Sequence, residues 1–246
     1  MLPAVVHKDR PDWDRDGDLD RIRETYVGYD HAGRGRLWDT SNPGYARLSR
    51  VLRQRLLGEV ARSLPPNGGR LLDLGCGTGD LIEDVAQRGL RPEWVGVDLR
   101  PDVIEIAQDR YPDRSFVVAS ADEVPRPAAS FDVIVAQVLF SSLPSAALER
   151  AVAGEVERLL APGGWLIWSD LRYANPTNPE VHGIGMRRLR ALFSGWTMEI
   201  KPVGLLPPVA RRLGFATGLM YPVLASVRPF RSHHVGRLRP AGGGGE

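Results

Sequence analysis

The sequence predicts an α/β protein, a single doubly wound domain built around a mostly parallel sheet. Three observations support this prediction. Strand-like apolar runs alternate with helix-like segments from residue 70 onward, as in right-handed β-α-β units. A glycine-rich turn, GCGTG at 75–79, follows the first of these runs. The 246 residues contain no internal repeat, and their number suits one domain with additions.

The predicted elements follow from apolar spacing and from their end signals. Serine at 145 is a typical N-cap, and the prolines at 65 and 66 end the first long helix. The strand-like runs are 70–75, 94–98, 115–119, 131–137 and 164–170, with 196–204 and 232–240 as two further strands. The helix-like segments are 44–63, 80–89, 101–111 and 145–161.

Four regions are expected along the chain. Residues 1–20 are acidic and lack an apolar period, which predicts a flexible segment. Residues 21–65 form a helical cover, and residues 66–240 form the core. The core carries an apolar insertion at 205–231, which is equally compatible with a lid over the active site and with a contact in a homodimer. The glycine-rich tail at 241–246 is expected to be flexible.

Composition limits the function. Hydrophobic residues make up 43% and charged residues 25%, as in ordinary globular proteins. Since no apolar stretch reaches about 18 residues and the start lacks signal-peptide order, we expect no integral membrane segment and a cytoplasmic location. Cys76 is the one cysteine, which excludes an internal disulfide and a multi-cysteine metal site.

The charge is unevenly distributed. From Leu171 onward, eleven basic residues stand against three acidic ones, a net charge of +8, although the whole chain carries only +2. A basic C-terminal third is compatible with an anionic acceptor or a substrate at a membrane surface, although a solvated basic face is the more common reason for such a distribution.

The glycine turn differs from that of a dinucleotide site, which usually reads G-x-G-x-x-G. Here the glycines are Gly75, Gly77 and Gly79, and Asp73 lies two residues before the first. A carboxylate at that place would repel a pyrophosphate, whereas it suits an ammonium group or ribose hydroxyls. Asp98 ends the next strand, where its oxygens can accept hydrogen bonds from both hydroxyls of a ribose.

Four segments in order resemble the class I S-adenosylmethionine-dependent methyltransferases: LLDLGCGTGD, VGVDLRPDVIEIA, FDVIVAQVLFSSLP and LLAPGGWLIWSD. The resemblance implies a Rossmann-like, seven-stranded sheet whose last strand is antiparallel. It also implies S-adenosyl-L-methionine as cofactor, with the glycine turn under its methionine part and Asp98 on its ribose. The expected cofactor-binding residues are Asp73, Gly75, Cys76, Gly77, Gly79, Asp98, Leu99, Ser120, Ala121 and Gln137.

One expected contact departs from the family pattern. The family usually has an aspartate at the position of Ser120 to bind the adenine amino group. In this chain the acid comes two residues later, as Asp122. Either Ser120 replaces the aspartate as acceptor or Asp122 reaches the same place.

The acceptor is less closely specified. The segment after the fourth strand reads AQVL instead of the D/N-P-P-Y/F of base-methylating enzymes, so no nucleic-acid partner is expected. Many relatives have a His-His pair there, where this chain has Ser141 and Ser142. His233 and His234 begin the antiparallel strand at the ligand-binding edge and are the candidate bases, and strand alternation turns at most one of them to the cleft. Further candidate bases are His31, His182 and Asp170, and the expected substrate-pocket residues are Trp38, Asn42, Tyr45, Ser141, Asp170 and Arg172.

A wider resemblance over roughly 36–239 links the chain to bacterial methyltransferases of polysaccharide and specialised-metabolite clusters. It implies O-methylation of a sugar, glycan or small-metabolite hydroxyl. Three alternatives stay open. They are N- or C-methylation of a small molecule, a non-catalytic protein that binds the cofactor as part of an interaction, and an NAD-linked oxidoreductase, against which Asp73 argues.

Overall fold

The computed structural model describes residues 13–31, 40–174 and 181–242. Its seven-stranded sheet has the order β3-β2-β1-β4-β5-β7-β6. The strands are β1 (Arg70–Leu74), β2 (Glu93–Asp98), β3 (Ser115–Val118), β4 (Phe131–Gln137), β5 (Leu160–Leu171), β6 (Trp196–Val203) and β7 (His233–Pro240). The helices are α1 (Arg15–His31), α2 (Pro43–Ser63), α3 (Asp80–Gln87), α4 (Pro101–Arg110), α5 (Ala146–Leu159), α6 (Met186–Leu192), α7 (Pro207–Arg212) and α8 (Thr217–Ser226).

The central strands are parallel and buried on both faces. Leu72 of β1 pairs with Val95 of β2 on one side and with Ile134 of β4 on the other. Such strands need helices on both faces of the sheet, which explains their continuous apolar sequence. β7 runs antiparallel to both β5 and β6. The predicted doubly wound fold with an antiparallel last strand is therefore confirmed.

Helix ends follow local capping chemistry. The Asn42 side chain accepts a hydrogen bond from the backbone of Tyr45 at 3.0 Å at the start of α2, and Ser145 accepts one from Leu148 at 3.1 Å at the start of α5. α5 ends two residues earlier than predicted because β5 already begins at Leu160, paired with Phe131. A register shift then absorbs the proline and glycines that follow.

The N-terminal region differs from expectation. α1 begins at Arg15, inside the segment predicted to be flexible, while residues 1–12 lie outside the described part. Polar contacts hold its first turn, because the Asp14 carboxylate accepts the backbone N–H of Gly17 at 2.9 Å and Arg15 binds Asp122. Polar contacts of this kind leave no apolar pattern, so the prediction placed the start of the helical region at residue 21 and not at Arg15.

The insertion at 205–231 forms α7 and α8, which pack on α2 around Leu48, Leu205, Ala210 and Tyr221. A Cβ at Gly44 would lie 1.7 Å from the carbonyl oxygen of Ala210, so only glycine allows α2 and α7 to approach this closely. This contact places α7 beside the carboxyl edge of the sheet. Within the described residues, no helix is long and apolar enough to cross a membrane.

Candidate active site

A cavity of about 740 Å³ opens at the carboxyl ends of β1, β2 and β4. This is the point where the strand order reverses, the usual ligand position in open α/β sheets. The volume is in the range of small-molecule and cofactor sites. Its walls come from the sheet edge and from α1, α2 and the start of the insertion, including Leu19, Tyr26, Tyr45, Leu52, Gly75, Gly77, Asp98, Leu99, Ser120, Ala121, Gln137, Tyr173, Val209, Arg211 and His233.

The glycine turn forms the floor of this cavity. The N–H groups of Gly75 and Cys76 both donate to the carbonyl of Val97, at 2.8 and 3.0 Å, which ties the turn to the end of β2. Gly77 has a φ of 51°. A Cβ built on it would meet no atom of the described residues within 4 Å, so it would project into the space that a ligand needs.

Two residues of this turn, Cys76 and Gly79, do not line the cavity. Cys76 is buried against Gly96, where an added Cβ would lie 2.9 Å from its Sγ. Burial and the nearby carboxylate of Asp73 raise the pKa of the Cys76 thiol, so it remains protonated at neutral pH. Gly79, with a φ of 78°, is the N-cap residue of α3.

Asp98 supports the turn and also faces the cavity. Its Oδ2 accepts the N–H of Gly77 at 2.9 Å, and its Oδ1 accepts the N–H of Arg100 at 3.0 Å. Burial raises the pKa of this carboxyl, while the two backbone N–H groups oppose the rise. Each carboxylate oxygen has a further lone pair for a ligand hydroxyl.

Asp73 lies fully buried beneath the turn instead of on the cavity wall. Burial raises the pKa of its carboxyl to about 7, and the charges of Asp98 and Asp80 add to the rise. Its charge therefore influences the turn from below, and only above neutral pH is it fully ionised.

The raised pKa of Asp73 predicts a pH-dependent stability. In the unfolded chain this carboxyl has its ordinary pKa near 4, so it ionises there more readily than in the folded protein. The folded state therefore loses stability as pH rises from about 4 to about 7. We expect Asp73→Asn to raise the free energy of unfolding by roughly 2 to 4 kcal/mol at pH 8 and by less at pH 5. Thermal unfolding at both pH values measures this. Asp102→Asn, at an exposed carboxyl paired with Arg100, should give little gain, and a pH-independent gain in Asp73→Asn would contradict the charge explanation.

At the expected adenine end, Ser120 and Ala121 line the cavity. Asp122 is not among the lining residues, and its carboxylate binds the Ser120 hydroxyl and, at 2.6 Å, the guanidinium of Arg15. The serine hydroxyl thus donates to Asp122 and keeps its lone pairs available for a ligand N–H. The same ion pair fastens α1 across the cavity.

Gln137 ends β4 and lines the cavity, followed by a strained residue. Val138 has a φ of 53°, which is costly for a β-branched side chain, at about 1 to 3 kcal/mol. Its N–H donates to Ser169 at 2.7 Å and its carbonyl accepts the Ser142 hydroxyl at 3.1 Å. The surrounding structure thus fixes an unfavourable backbone beside the position expected to contact the methionine part.

Several predicted pocket residues lie behind the wall. Asp170 is buried and accepts the N–H groups of Ser141 at 3.0 Å and Leu171 at 2.7 Å, and burial raises the pKa of its carboxyl to about 6. Ser141 is buried in the same loop. Arg172 donates to the carbonyls of Arg228 and Arg231. These three residues hold loops together.

The α2 residues divide between the wall and the cap. Tyr45 lines the cavity, with the guanidinium of Arg211 4.9 Å from the centre of its ring. Burial raises the pKa of the Tyr45 hydroxyl. Asn42 caps α2 and donates to the carbonyl of Arg211 at 3.1 Å. Trp38 lies outside the described residues.

The two candidate histidines face opposite ways, as strand alternation requires. His233 lines the cavity and is 6% exposed, with its Nδ1 2.7 Å from the Ser232 hydroxyl. His234 turns away, with Nδ1 3.4 Å from the carbonyl of Ile184. Burial lowers the pKa of each imidazole to about 4, so both are neutral at pH 7. His182 is held by Glu149 at 2.9 Å, and the side chain of His31 is not described.

Sequence reasoning missed much of the wall opposite the sheet. Leu19, Ile22 and Tyr26 come from α1, and Tyr173 follows β5. Their helix-like spacing of three and four residues was present in the sequence but fell across the predicted boundary at residue 20. No local signal singles out Tyr173.

Known proteins share this architecture and this sequence core. Residues 71–164 match the family model of a methyltransferase domain. An uncharacterized methyltransferase of Synechocystis is 30% identical over 156 residues, which cover 55% of this chain and 72% of that protein. The chain belongs to the class I S-adenosylmethionine-dependent methyltransferases. The alternative of an NAD-linked oxidoreductase is thereby set aside.

Two further relatives of this methyltransferase carry more specific names. The malonyl-[acyl-carrier protein] O-methyltransferase of Serratia marcescens is 33% identical over 129 residues, 51% of this chain and 46% of that protein. The ubiquinone/menaquinone biosynthesis C-methyltransferase of Syntrophotalea carbinolica is 31% identical over 158 residues, 60% and 64% of the two chains. The matched part thus spans less than two thirds of these relatives.

A solved structure resembles almost the whole fold of this methyltransferase. The 1,6-didemethyltoxoflavin-N1-methyltransferase of Burkholderia thailandensis, with bound 1,6-didemethyltoxoflavin and S-adenosylhomocysteine, covers 95% of this chain and 93% of its own. The TM-score is 0.64 and the identity 18%, so the likeness is one of fold. S-adenosylmethionine is the cofactor of the family, and the open floor at Gly77 and the backbone-held carboxylate of Asp98 fit it.

Proposed function

We propose that this protein transfers the methyl group of S-adenosylmethionine to a hydroxyl oxygen of a small acceptor with a mainly apolar or aromatic body. One observation carries the proposal. The cavity wall away from the glycine turn is mainly tyrosines and aliphatic side chains, and one neutral histidine, His233, lies among them. The aliphatic and aromatic members of this wall include Leu52, Leu143, Leu206, Val209, Tyr26, Tyr45 and Tyr173.

Five residues would hold the cofactor. Asp98 would accept the ribose hydroxyls, Ser120 and Ala121 would meet the adenine, and the carbonyl of Gln137 would accept the ammonium. Gly77 leaves room for the methionine chain. When bound, the cofactor supplies an electrophilic methyl group on a sulfonium. The chain's own contribution is to align the acceptor oxygen with that methyl group, which can supply about 7 to 11 kcal/mol of the barrier reduction.

His233 is proposed as the proton acceptor. Its Nδ1 lies 2.7 Å from the Ser232 hydroxyl. The base role requires the tautomer in which Nδ1–H donates to that hydroxyl oxygen, because Nε2 then carries the lone pair that accepts the proton. A pKa near 4 keeps the ring neutral and able to accept. It also makes the ring a weak base, so proton transfer has to accompany methyl transfer, when the oxygen becomes acidic.

The cationic side chains on the wall already have partners. Arg53 binds Asp84 at 3.0 Å, Arg100 pairs with Asp102, and Arg211 lies over the ring of Tyr45. Because two of these three cations are paired with carboxylates, we favour an uncharged, largely apolar acceptor over a phosphate-bearing one. A sugar or glycan acceptor, a cytoplasmic location and pairing of two copies remain predictions from the sequence.

C-methylation is the second candidate. A C-methyltransferase named for ubiquinone/menaquinone biosynthesis is among the relatives, and three tyrosines on the wall suit an aromatic ring. The same histidine would then take a proton from the acceptor. O- and C-methylation differ only in which atom lies in line with the methyl group.

Cofactor with a ¹³C-labelled methyl group separates these reactions. We expect label transfer to hydroxylated apolar or phenolic acceptors, with the carbon shift of a methyl ether in the product. A C-methyl shift would favour the second candidate, and transfer only to free sugars or glycans would overturn the apolar acceptor. Calorimetry with S-adenosylhomocysteine on the same preparation shows whether the cofactor binds, and absence of binding by folded protein would overturn the function itself.

A further inference from the structure

Helix α8 is apolar on both sides. Its inner side packs Tyr221 and Leu224 against α2 and α7. Its outer side is open to solvent, with Leu219 exposed by 77% and Val223 by 58%. A helix that is apolar all round usually has its second face covered as well. We name the outer side and its continuation the α8 patch, formed by Leu219, Met220, Val223, Val227 and Phe230.

The insertion that carries the α8 patch has basic and no acidic side chains. The insertion at 205–231 contains four arginines and no acidic residue. Arg212 and Arg228 are exposed on either side of α8. Arg47 of α2 lies close enough to Tyr221 to act on the pKa of its hydroxyl. An apolar face rimmed by arginines matches the surface of an anionic lipid bilayer.

The α8 patch is directly connected to the cavity. Leu206, which lines the cavity, donates its N–H to the carbonyl of Phe230 at 2.8 Å. Arg172 lies between two lining residues, Leu171 and Tyr173, and donates to the carbonyl of Arg228 at 2.9 Å. A surface that bound the α8 patch would therefore lie next to the cavity wall formed by Leu206 and Tyr173.

We propose that the α8 patch docks this protein shallowly on an anionic lipid bilayer. Ten residues of helix extend only about 15 Å, half of the hydrocarbon thickness, so α8 would lie in the interface and not cross it. Docking brings the cavity wall to the headgroup layer. An apolar acceptor dissolved in the bilayer could then enter without crossing water, an extension that rests on the proposed function.

A second copy of the chain is a less suitable partner for this face. A two-fold contact places the same surface on both sides, so the arginines of one insertion would face those of the other. Residues 205–231 offer no carboxylate to pair with them, and like charges across an interface are costly. Anionic lipid headgroups supply the missing negative charge.

Vesicle co-sedimentation of the full chain tests the docking. We expect binding to phosphatidylglycerol vesicles and weaker binding to phosphatidylcholine vesicles. The double variant Leu219→Ser with Val223→Ser should bind the anionic vesicles about tenfold more weakly, because two exposed apolar side chains no longer insert. Arg212→Gln with Arg228→Gln should also bind about tenfold more weakly and lose salt sensitivity.

Ile106→Ser is the matched control. Ile106 is also an exposed aliphatic residue, at 47%, but lies on α4 near β3, at the opposite end of the sheet. The Ile106→Ser variant should bind vesicles as the wild type does. The proposal would be overturned if the wild type, the Ile106→Ser variant and the double serine variant all sedimented equally with the vesicles. It would also be overturned if the wild type did not bind the vesicles. A wild-type dimer in sedimentation velocity that the double variant loses would overturn it too, since the face would then be occupied by a second copy.

The outcome is separable from that of the proposed function. None of the four substituted residues of the insertion lines the cavity, so calorimetric binding of S-adenosylhomocysteine should be unchanged in both double variants. Loss of vesicle binding with intact binding of S-adenosylhomocysteine isolates the docking surface. Absence of S-adenosylhomocysteine binding in the wild type would instead count against the proposed function alone.

Discussion

Replacing Asp98 with alanine is expected to weaken the binding of S-adenosylhomocysteine by at least about 100-fold. The carboxylate would accept two ribose hydroxyls, and charge-assisted hydrogen bonds contribute about 1.5 to 3 kcal/mol each. It also holds Gly77 and Arg100 by their N–H groups, at 2.9 and 3.0 Å. The substitution therefore removes both the ligand contact and the support of the cavity floor. Calorimetric titration measures the change in Kd.

Two further variants make this prediction specific. Asp102→Ala removes an exposed carboxylate four residues away that pairs with Arg100, and it should change the Kd by less than about threefold. Asp98→Asn keeps an acceptor oxygen but loses the charge, so its Kd should lie between those of the alanine variant and the wild type. An unchanged Kd in Asp98→Ala would remove this carboxylate from the cofactor site.

The sheet and the glycine-turn side of the cavity were predictable because they depend on local patterns. Buried parallel strands leave unbroken apolar runs such as that of β4, and a tight turn at positive φ requires glycine at residues such as Gly77. Both signals are contained in a few adjacent residues. Strand alternation likewise assigned His233 and His234 to opposite faces without any long-range information.

The acceptor side was not predictable in the same way, because distant residues meet there. Arg15 and Asp122 are 107 positions apart, and their ion pair fixes α1 over the cavity. Asp170 has the position of a pocket carboxylate at the end of β5, yet its oxygens are taken by backbone N–H groups of the neighbouring loop. Only the folded arrangement distinguishes a carboxylate that faces a ligand from one that holds a loop.

The same limit applies to His233, whose proposed role makes the second large prediction. With the acceptor identified by label transfer, His233→Ala should lower kcat by about 100- to 10,000-fold, the usual contribution of a positioned base. The Kd for S-adenosylhomocysteine should stay within about threefold of the wild-type value, because the proposed cofactor contacts come from other residues. His234→Asn is the matched control, since His234 turns away from the cavity toward Ile184, and its kcat should change only a few-fold.

The pH dependence gives an independent test of the same residue. Burial lowers the pKa of His233 to about 4, so the ring stays neutral as pH falls from 8 to 6 and becomes protonated only below about 5. We therefore expect kcat to show no acid limb near 6.5, where an exposed histidine would produce one. A limb at 6.5 that disappears in His233→Ala would show that the ring is solvated during turnover. Full turnover by His233→Ala would mean that the acceptor proton leaves without this histidine, directly to water or to another group on the cavity wall.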